Sequence, residues 1–188
     1  MRAVKDEVRV LGVDDAPFEF EDEKTELVGT VFRGGSYIEG VLMEEIEVDG
    51  FDVTEKVLEM VNGSRHSDQV RAVLLDGITF GGFNIADLDR IAEKGDVGVI
   101  AVSRNEPDMD RMGSGMENVD RSGERRELVE KAGEAKEHSV EEGEIYFQHS
   151  GIGEEDARKV LDLTCVNGLV PEPVRVADMI AGAIKDTD

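Results

Sequence analysis

Two stretches constrain this chain more than any others. "VRVLGVDD" (8–15) and "VRAVLLDG" (70–77) are short apolar runs rich in β-branched residues, and both run into aspartate. A continuous apolar run of this length, bounded by turn residues, reads as a strand buried on both faces. A sheet of such strands needs helices on both sides. We place the first strand at residues 8–14 and the other at 70–76. A carboxylate at the end of an otherwise apolar strand then needs a reason.

The remaining elements say where these strands lie. "ELVGTVFRGG" (26–35) and "YIEGVLMEEIEVDG" (37–50) flank a Gly-Gly-Ser turn and read as a β-hairpin. Glu45 and Glu47 alternate with Ile46 and Val48, which gives part of the hairpin one wet face. "DVTEKVLEMV" (52–61) opens on helix-start residues and keeps Val53, Val57, Met60 and Val61 at helical spacing. Asn84 is placed to cap a helix over 85–95 that ends at Gly95. "VGVIAVSR" (97–104) reads as a fifth strand. Residues 105–123 are polar and lack a period, and read as a loop. A helix over 125–136, a short strand over 144–150 and a helix over 154–164 follow. The last helix starts near Pro173, because proline is well tolerated in a first turn.

A meander followed by βαβ units predicts one α/β domain spanning 1–188, a mixed five-stranded sheet with helices on its faces. The hairpin occupies one side of the first strand. A right-handed crossover then delivers the fourth strand to the other side, in the order 3-2-1-4-5. Asp14 and Asp76 are then neighbours at the carboxyl end of the sheet, where open α/β sheets place ligands.

Two adjacent carboxylates do not both stay ionised unaided. A hard divalent cation resolves the conflict. Mg²⁺ takes oxygen ligands, keeps several waters and needs only one or two carboxylates plus a substrate phosphate. Such a site suits phosphodiester hydrolysis. A third acid is open among Asp49, Asp52, Glu45 and Glu47. Asp52 competes as a helix N-cap, with Glu55 three residues on as in a capping box, and Asp49 is the preferred candidate. His66, His138 and His149 have no zinc-ligand spacing and read as surface or polar-loop residues. "FGGFN" is neither a dinucleotide fingerprint nor a Walker loop. Cys165 has no evident base beside it and reads as a packing residue.

Charge adds a second constraint. The 188 residues carry 44 acidic against 21 basic side chains, a formal net charge of −23. The acids are spread through regular elements and form no tail. That pattern reads as halophilic, since multimolar salt screens the repulsion. It is the wrong sign for gripping phosphate over a broad surface. One cysteine permits no internal disulfide. No apolar run approaches a membrane span and no signal-peptide core opens the chain, so a cytoplasmic protein is expected.

At this level of detail the chain resembles the archaeal endonuclease dU family, which is similar to endonuclease V and shares its ribonuclease H-like fold. The carriers are "RVLGVDD", "VFRGG", "IEVDGFDVTE", "LLDGITFGGFN" and "GLVPEPVRVADMIAG". The resemblance implies a Mg²⁺- or Mn²⁺-dependent endonuclease that nicks DNA beside a deaminated base, deoxyuridine or deoxyinosine. It implies Asp14 and Asp76 as metal ligands and catalytic residues, and Asp178 as a further acid at the metal on the last helix. Arg104 stands where endonuclease V has a lysine near the scissile phosphate. Tyr37-Ile38-Glu39-Gly40 partly matches the endonuclease V wedge, with Glu39 in place of its proline. Counted from Tyr37, the family's glutamate ligand falls on Ile46, which leaves the third ligand open. Tyr37, Gly40 and Gly77 are then expected to line a pocket for an extruded base. An RNA endonuclease with the same metal site and a non-catalytic binding protein remain as alternatives.

Overall fold

The computed structural model describes residues 7–19, 21–117 and 119–185. The strands are β1 (Arg9–Asp15), β2 (Lys24–Arg33), β3 (Tyr37–Glu47), β4 (Val70–Asp76), β5 (Thr79–Phe80), β6 (Asn84–Ile85), β7 (Gly98–Ser103), β8 (Lys136–Val140) and β9 (Gly143–Ser150). The helices are α1 (Val53–Gly63), α2 (Leu88–Gly95), α3 (Met109–Met116), α4 (Ser122–Ala132), α5 (Glu154–Thr164) and α6 (Glu172–Lys185). Seven strands form one sheet in the order β3-β2-β1-β4-β7-β9-β8, and β5 pairs with β6 in a small ribbon. The expected 3-2-1-4-5 arrangement is the first part of this order. The sheet extends beyond it by the hairpin of β9 and β8.

β1 lies antiparallel to β2 and parallel to β4, with Val13 opposite Leu75. Successive side chains alternate faces. Leu11, Val13, Val73 and Leu75 therefore pack under α1 and α2, while Val10, Ala72 and Leu74 pack on the other face with α5 and α6. Both faces of β1 and β4 are covered, which is why these segments read as unbroken apolar runs. Each fully buried Val or Leu here stabilises the fold by about 1.5–3 kcal/mol.

Helix α6 is seated by a close approach. A Cβ on Gly12 would lie 2.3 Å from the carbonyl carbon of Pro173, so only glycine lets the helix lie this near β1. The hydroxyl of Thr30 donates to the Pro173 carbonyl at 2.6 Å. Further along the helix, Ala177 and Ala181 pack against Ala16 and Val28.

Four local expectations are corrected. Residues 105–123 are not all loop, because α3 forms there, capped by Asp108, whose side chain accepts from the Arg111 N–H at 2.9 Å. Met112 and Met116 tie it to the core. Asn84 does not cap the helix that follows it. Its Oδ1 accepts from the Val53 N–H at the start of α1, and Asp87 caps α2. Asp52 sits at the N-cap position of α1 but makes no capping bond, so no capping box forms. Its carboxylate accepts instead from the Glu47 N–H and the Asn84 amide. Finally, α4 stops at Ala132, and Lys136 starts strand β8 instead of ending a helix.

Candidate metal centre

Asp14 and Asp76 sit at corresponding ends of adjacent parallel strands. Asp14 follows Val13 on β1, and Asp76 follows Leu75 on β4, so the alternation that buries those two residues under α1 turns both aspartates toward α6. Asp14 is 7% exposed, whereas Asp76 reaches solvent. Burial pushes the Asp14 carboxyl up to about 8, helped by the like charges of Asp76, Asp15 and Asp178 and opposed by the Asp15 N–H, which donates to it at 2.9 Å. The surrounding protein also raises Asp76. Arg104 opposes that rise and Asp178 adds to it.

Asp178, exposed on α6, thus acts on both strand-end carboxylates, and Arg104, just past β7, acts on Asp76. The structure brings together Asp14, Asp76, Asp178 and Arg104. It adds Asp15, which points to the other face, accepts from the Gly81 N–H at 2.9 Å and is also raised by burial. The Asp-Asp pair ending the first strand was its signal in the sequence.

None of the four candidates for a third acid, Asp49, Asp52, Glu45 and Glu47, is among the charges that act on Asp14 or Asp76. Asp49 holds the Phe83 N–H at 2.8 Å and lends its charge to Arg125. Glu45 pairs with Lys24 at 2.5 Å. Ile46, where the family's glutamate was counted, is fully buried in the core.

Sequence reasoning missed Arg125, which is 1% exposed. Its guanidinium donates to the carbonyls of Asp49, Gly50, Phe83 and Asp120 and lies 4.1 Å from the centre of the Phe51 ring. It thereby fastens α4 to the loop that presents Gly81 to Asp15. No periodicity marks it, since arginine in a helix reads as a solvated face.

The expected base pocket is corrected by strand register. Tyr37 is level with Arg33 and hence with Arg9, at the amino end of β1. Arg9 and Asp14 are five residues apart, so Tyr37 is roughly 17 Å from the acids along the strand direction at ~3.3 Å per residue. It is 64% exposed, with the Arg33 guanidinium 5.2 Å from its ring centre. Gly40 lies toward the same end and faces His66. Only Gly77 of the three stands at the acids. It adopts φ +75°, which turns the chain directly after Asp76. It also lines a cavity of about 170 Å³ with Ile78, Val102, Met112, Tyr146 and Gln148.

The donor set is all oxygen, which suits a hard cation. No group of three or more His, Cys, Asp or Glu among the described residues is arranged to hold a metal ion. Mg²⁺ does not need such a cage, because one or two carboxylates with water and phosphate suffice. Asp14 and Asp76 meet that requirement, and a cation would relieve the strain that now favours a proton on Asp14. The histidines are engaged elsewhere, His138 with Asp162 at 2.7 Å and His149 with the Ile152 carbonyl at 3.0 Å. Burial pushes the Cys165 thiol up to about 12, which keeps it a packing group. No helix among the described residues is long and apolar enough to cross a membrane.

The family model for endonuclease dU matches residues 6–185. A UPF0215 protein of Methanothermobacter thermautotrophicus is 43% identical over 185 residues, covering 97% of this chain and 90% of its own. The crystal structure of a protein of unknown function from Archaeoglobus fulgidus superposes with a TM-score of 0.85 at 40% identity, over 94% of this chain and 98% of that one. Ciona intestinalis endonuclease V, in complex with a DNA containing an inosine followed by a ribo-adenosine, superposes with a TM-score of 0.64 at 13% identity, over 96% of this chain and 87% of that one. That likeness extends to the fold, which is ribonuclease H-like in both. With its family match spanning nearly the whole chain, the protein belongs to the endonuclease dU family.

Proposed function

We propose that the protein is a metal-dependent endonuclease that nicks DNA beside a deaminated base, deoxyuridine or deoxyinosine. The observation that carries this reading is the convergence of Asp14, Asp76 and Asp178 beside Arg104 at the carboxyl end of the sheet, where burial and the neighbouring like charges raise the Asp14 carboxyl.

Asp14 and Asp76 would hold Mg²⁺ or Mn²⁺, with the charge of Asp178 acting on both from α6. Once bound, the ion would supply Lewis acidity toward the phosphate and a water ionised near neutral pH. Arg104 presents a cation to the scissile phosphate, and its fixed fork can grip two phosphate oxygens. The Gly77 turn removes side-chain bulk beside Asp76, so that an extruded base can pass to the adjoining cavity. At about 170 Å³ that cavity is smaller than the roughly 300–1,000 Å³ of sites for drug-sized ligands, and it suits one ring system.

The test is cleavage of labelled oligonucleotides carrying uracil, hypoxanthine or only normal bases, with Mg²⁺ or Mn²⁺, in multimolar KCl. Metal-dependent nicking beside the altered base is expected. No cleavage under any of these conditions would leave a binding protein on this fold. A second reading, an RNA endonuclease, is favoured by the ribo-adenosine after the inosine in the ligand of Ciona endonuclease V. Matched strands with ribose at that position separate the two.

A further inference from the structure

We propose that Gln148 reads the lactam edge of an extruded uracil or hypoxanthine in the cavity beside Gly77, an inference that rests on the nuclease reading above. The cavity adjoins the acids through the chain itself, since Gly77 follows Asp76 and the lining residue Ser103 precedes Arg104. Its walls are mostly apolar, with Ile78, Val102 and Met112 among them. An apolar slot with a few placed polar groups fixes a planar ligand by those groups. Among the polar side chains that line it, Ser103 donates its hydroxyl to the Asn105 carbonyl at 2.6 Å and Tyr146 donates to Glu137 at 3.4 Å. Gln148 is 6% exposed. One of its Nε2 hydrogens goes to the Gly133 carbonyl at 2.5 Å.

That bond decides which base the amide can read. A free amide rotates by 180° and serves either hydrogen-bonding pattern. Here a flipped Gln148 would set Oε1 against the carbonyl oxygen of Gly133, so the amide keeps one orientation. The remaining groups are Oε1 as acceptor and the second Nε2 hydrogen as donor. Uracil offers N3–H beside O4, and hypoxanthine offers N1–H beside O6. Each is the complement of that pair. With the ring held by the apolar walls in the pose that seats uracil or hypoxanthine, cytosine and adenine set an acceptor nitrogen against the acceptor Oε1 and an amino donor against the Nε2 hydrogen. A buried amide left unpaired is costly, so the parent bases are rejected at the same residue that accepts their deaminated products. The outer cleft that shares Gln148 carries Glu106, Glu130 and Glu134, which turn phosphates away and leave the Gly77 side for entry of a base.

The probes are short single strands carrying one uracil, hypoxanthine, cytosine, N3-methyluracil or abasic site. Binding is followed by anisotropy without added divalent metal, and cleavage with Mn²⁺. Wild-type protein should prefer uracil and hypoxanthine over cytosine and N3-methyluracil by roughly ten- to hundred-fold, the discrimination of one good bidentate pair. Gln148→Leu should collapse the uracil-to-abasic ratio by a similar factor. Gln148→Met provides a second apolar variant if leucine disturbs the fold, and the methylated base tests the edge in the unaltered protein. Equal binding of uracil and N3-methyluracil by wild type, or an unchanged uracil-to-abasic ratio in a folded Gln148 variant, would overturn the proposal. Selective binding of uracil without cleavage would keep the Gln148 assignment and remove the nuclease reading. Cleavage without preference for the altered bases would do the reverse.

Discussion

At the scale of single residues, Asp14 and Asp76 do different work although they sit side by side. Asp76 is open to solvent and Arg104 acts on it, so under the proposed function it is the group a phosphate-bound cation would meet first. Asp76→Asn keeps the shape and removes the charge. We expect metal binding and turnover to fall by at least ~100-fold with an unchanged circular dichroism spectrum, a loss of the size that deletion of one transition-state contact causes. Full activity of this variant would sink the metal-nuclease reading. Asp14 is buried, and its cost shows in stability. A buried acid that holds its proton more tightly when folded contributes fully below the unfolded value near 4, and loses that contribution as the pH rises through the folded value of about 8. Without divalent cation, wild type should therefore weaken relative to Asp14→Asn over that window, by at most about 1.4 kcal/mol per pH unit. Urea melts of the pair at pH 4.5 and 8 check the sign. Added Mn²⁺ should restore wild type at pH 8 and leave the variant unmoved.

At the scale of elements, the site depends on how α6 is laid across β1. Gly12 meets the Pro173 backbone, Thr30 anchors the same carbonyl, and Asp178 stands five residues further on. Gly12→Ala should cost about 1–3 kcal/mol or more by overpacking, since backbone cannot yield as a side-chain tip can. Because the helix must move to admit the methyl, cleavage should drop along with stability, whereas a loss of stability alone would separate helix seating from the site. This dependence was half legible in the sequence. β1 and β4 announce themselves because both faces are buried, and "PEPVRVADMIAG" marks the last helix. The Gly12–Pro173 contact spans most of the chain, and no local pattern encodes it. The same physics explains the errors. β8 is an edge strand with mostly exposed residues, so "KEHSV" has no apolar alternation to find. Helix α3 is held by a cap and two methionines amid glycines, one of which, Gly115, is required by the Phe83 ring 2.7 Å from its Cβ position. The hairpin is legible in the sequence, whereas the end of the sheet at which Tyr37 lies is not. Which end of a hairpin meets an active site depends on the antiparallel register with β1, and the motif match carried no register.

At the scale of the whole molecule, the charge of −23 sets the conditions under which any of this operates. Surface pairs such as Lys136–Glu154 at 2.5 Å and Lys159–Asp156 at 2.9 Å use some of the scarce cations, and most acids remain unneutralised. At low salt their mutual repulsion acts across the surface, because the Debye length is ~10 Å at 0.1 M and only ~3 Å at 1 M. The melting temperature should therefore climb as KCl rises from about 0.1 M into the multimolar range. A flat profile would defeat the halophilic reading. For the proposed nuclease the same surface would determine how a nucleic acid is held. A protein that tracks the phosphate backbone with many lysines and arginines loses affinity steeply with salt, with a log–log slope near −0.9 per phosphate neutralised. In the proposed mode the cation at the scissile phosphate is Arg104, and the base would be gripped in an apolar cavity whose contacts salt does not screen. The slope of oligonucleotide binding against KCl should accordingly be shallow, on the order of −1 to −2. A slope of roughly −6 or steeper would mean that a broad basic track carries the affinity, and would move recognition away from Gly77 and Gln148.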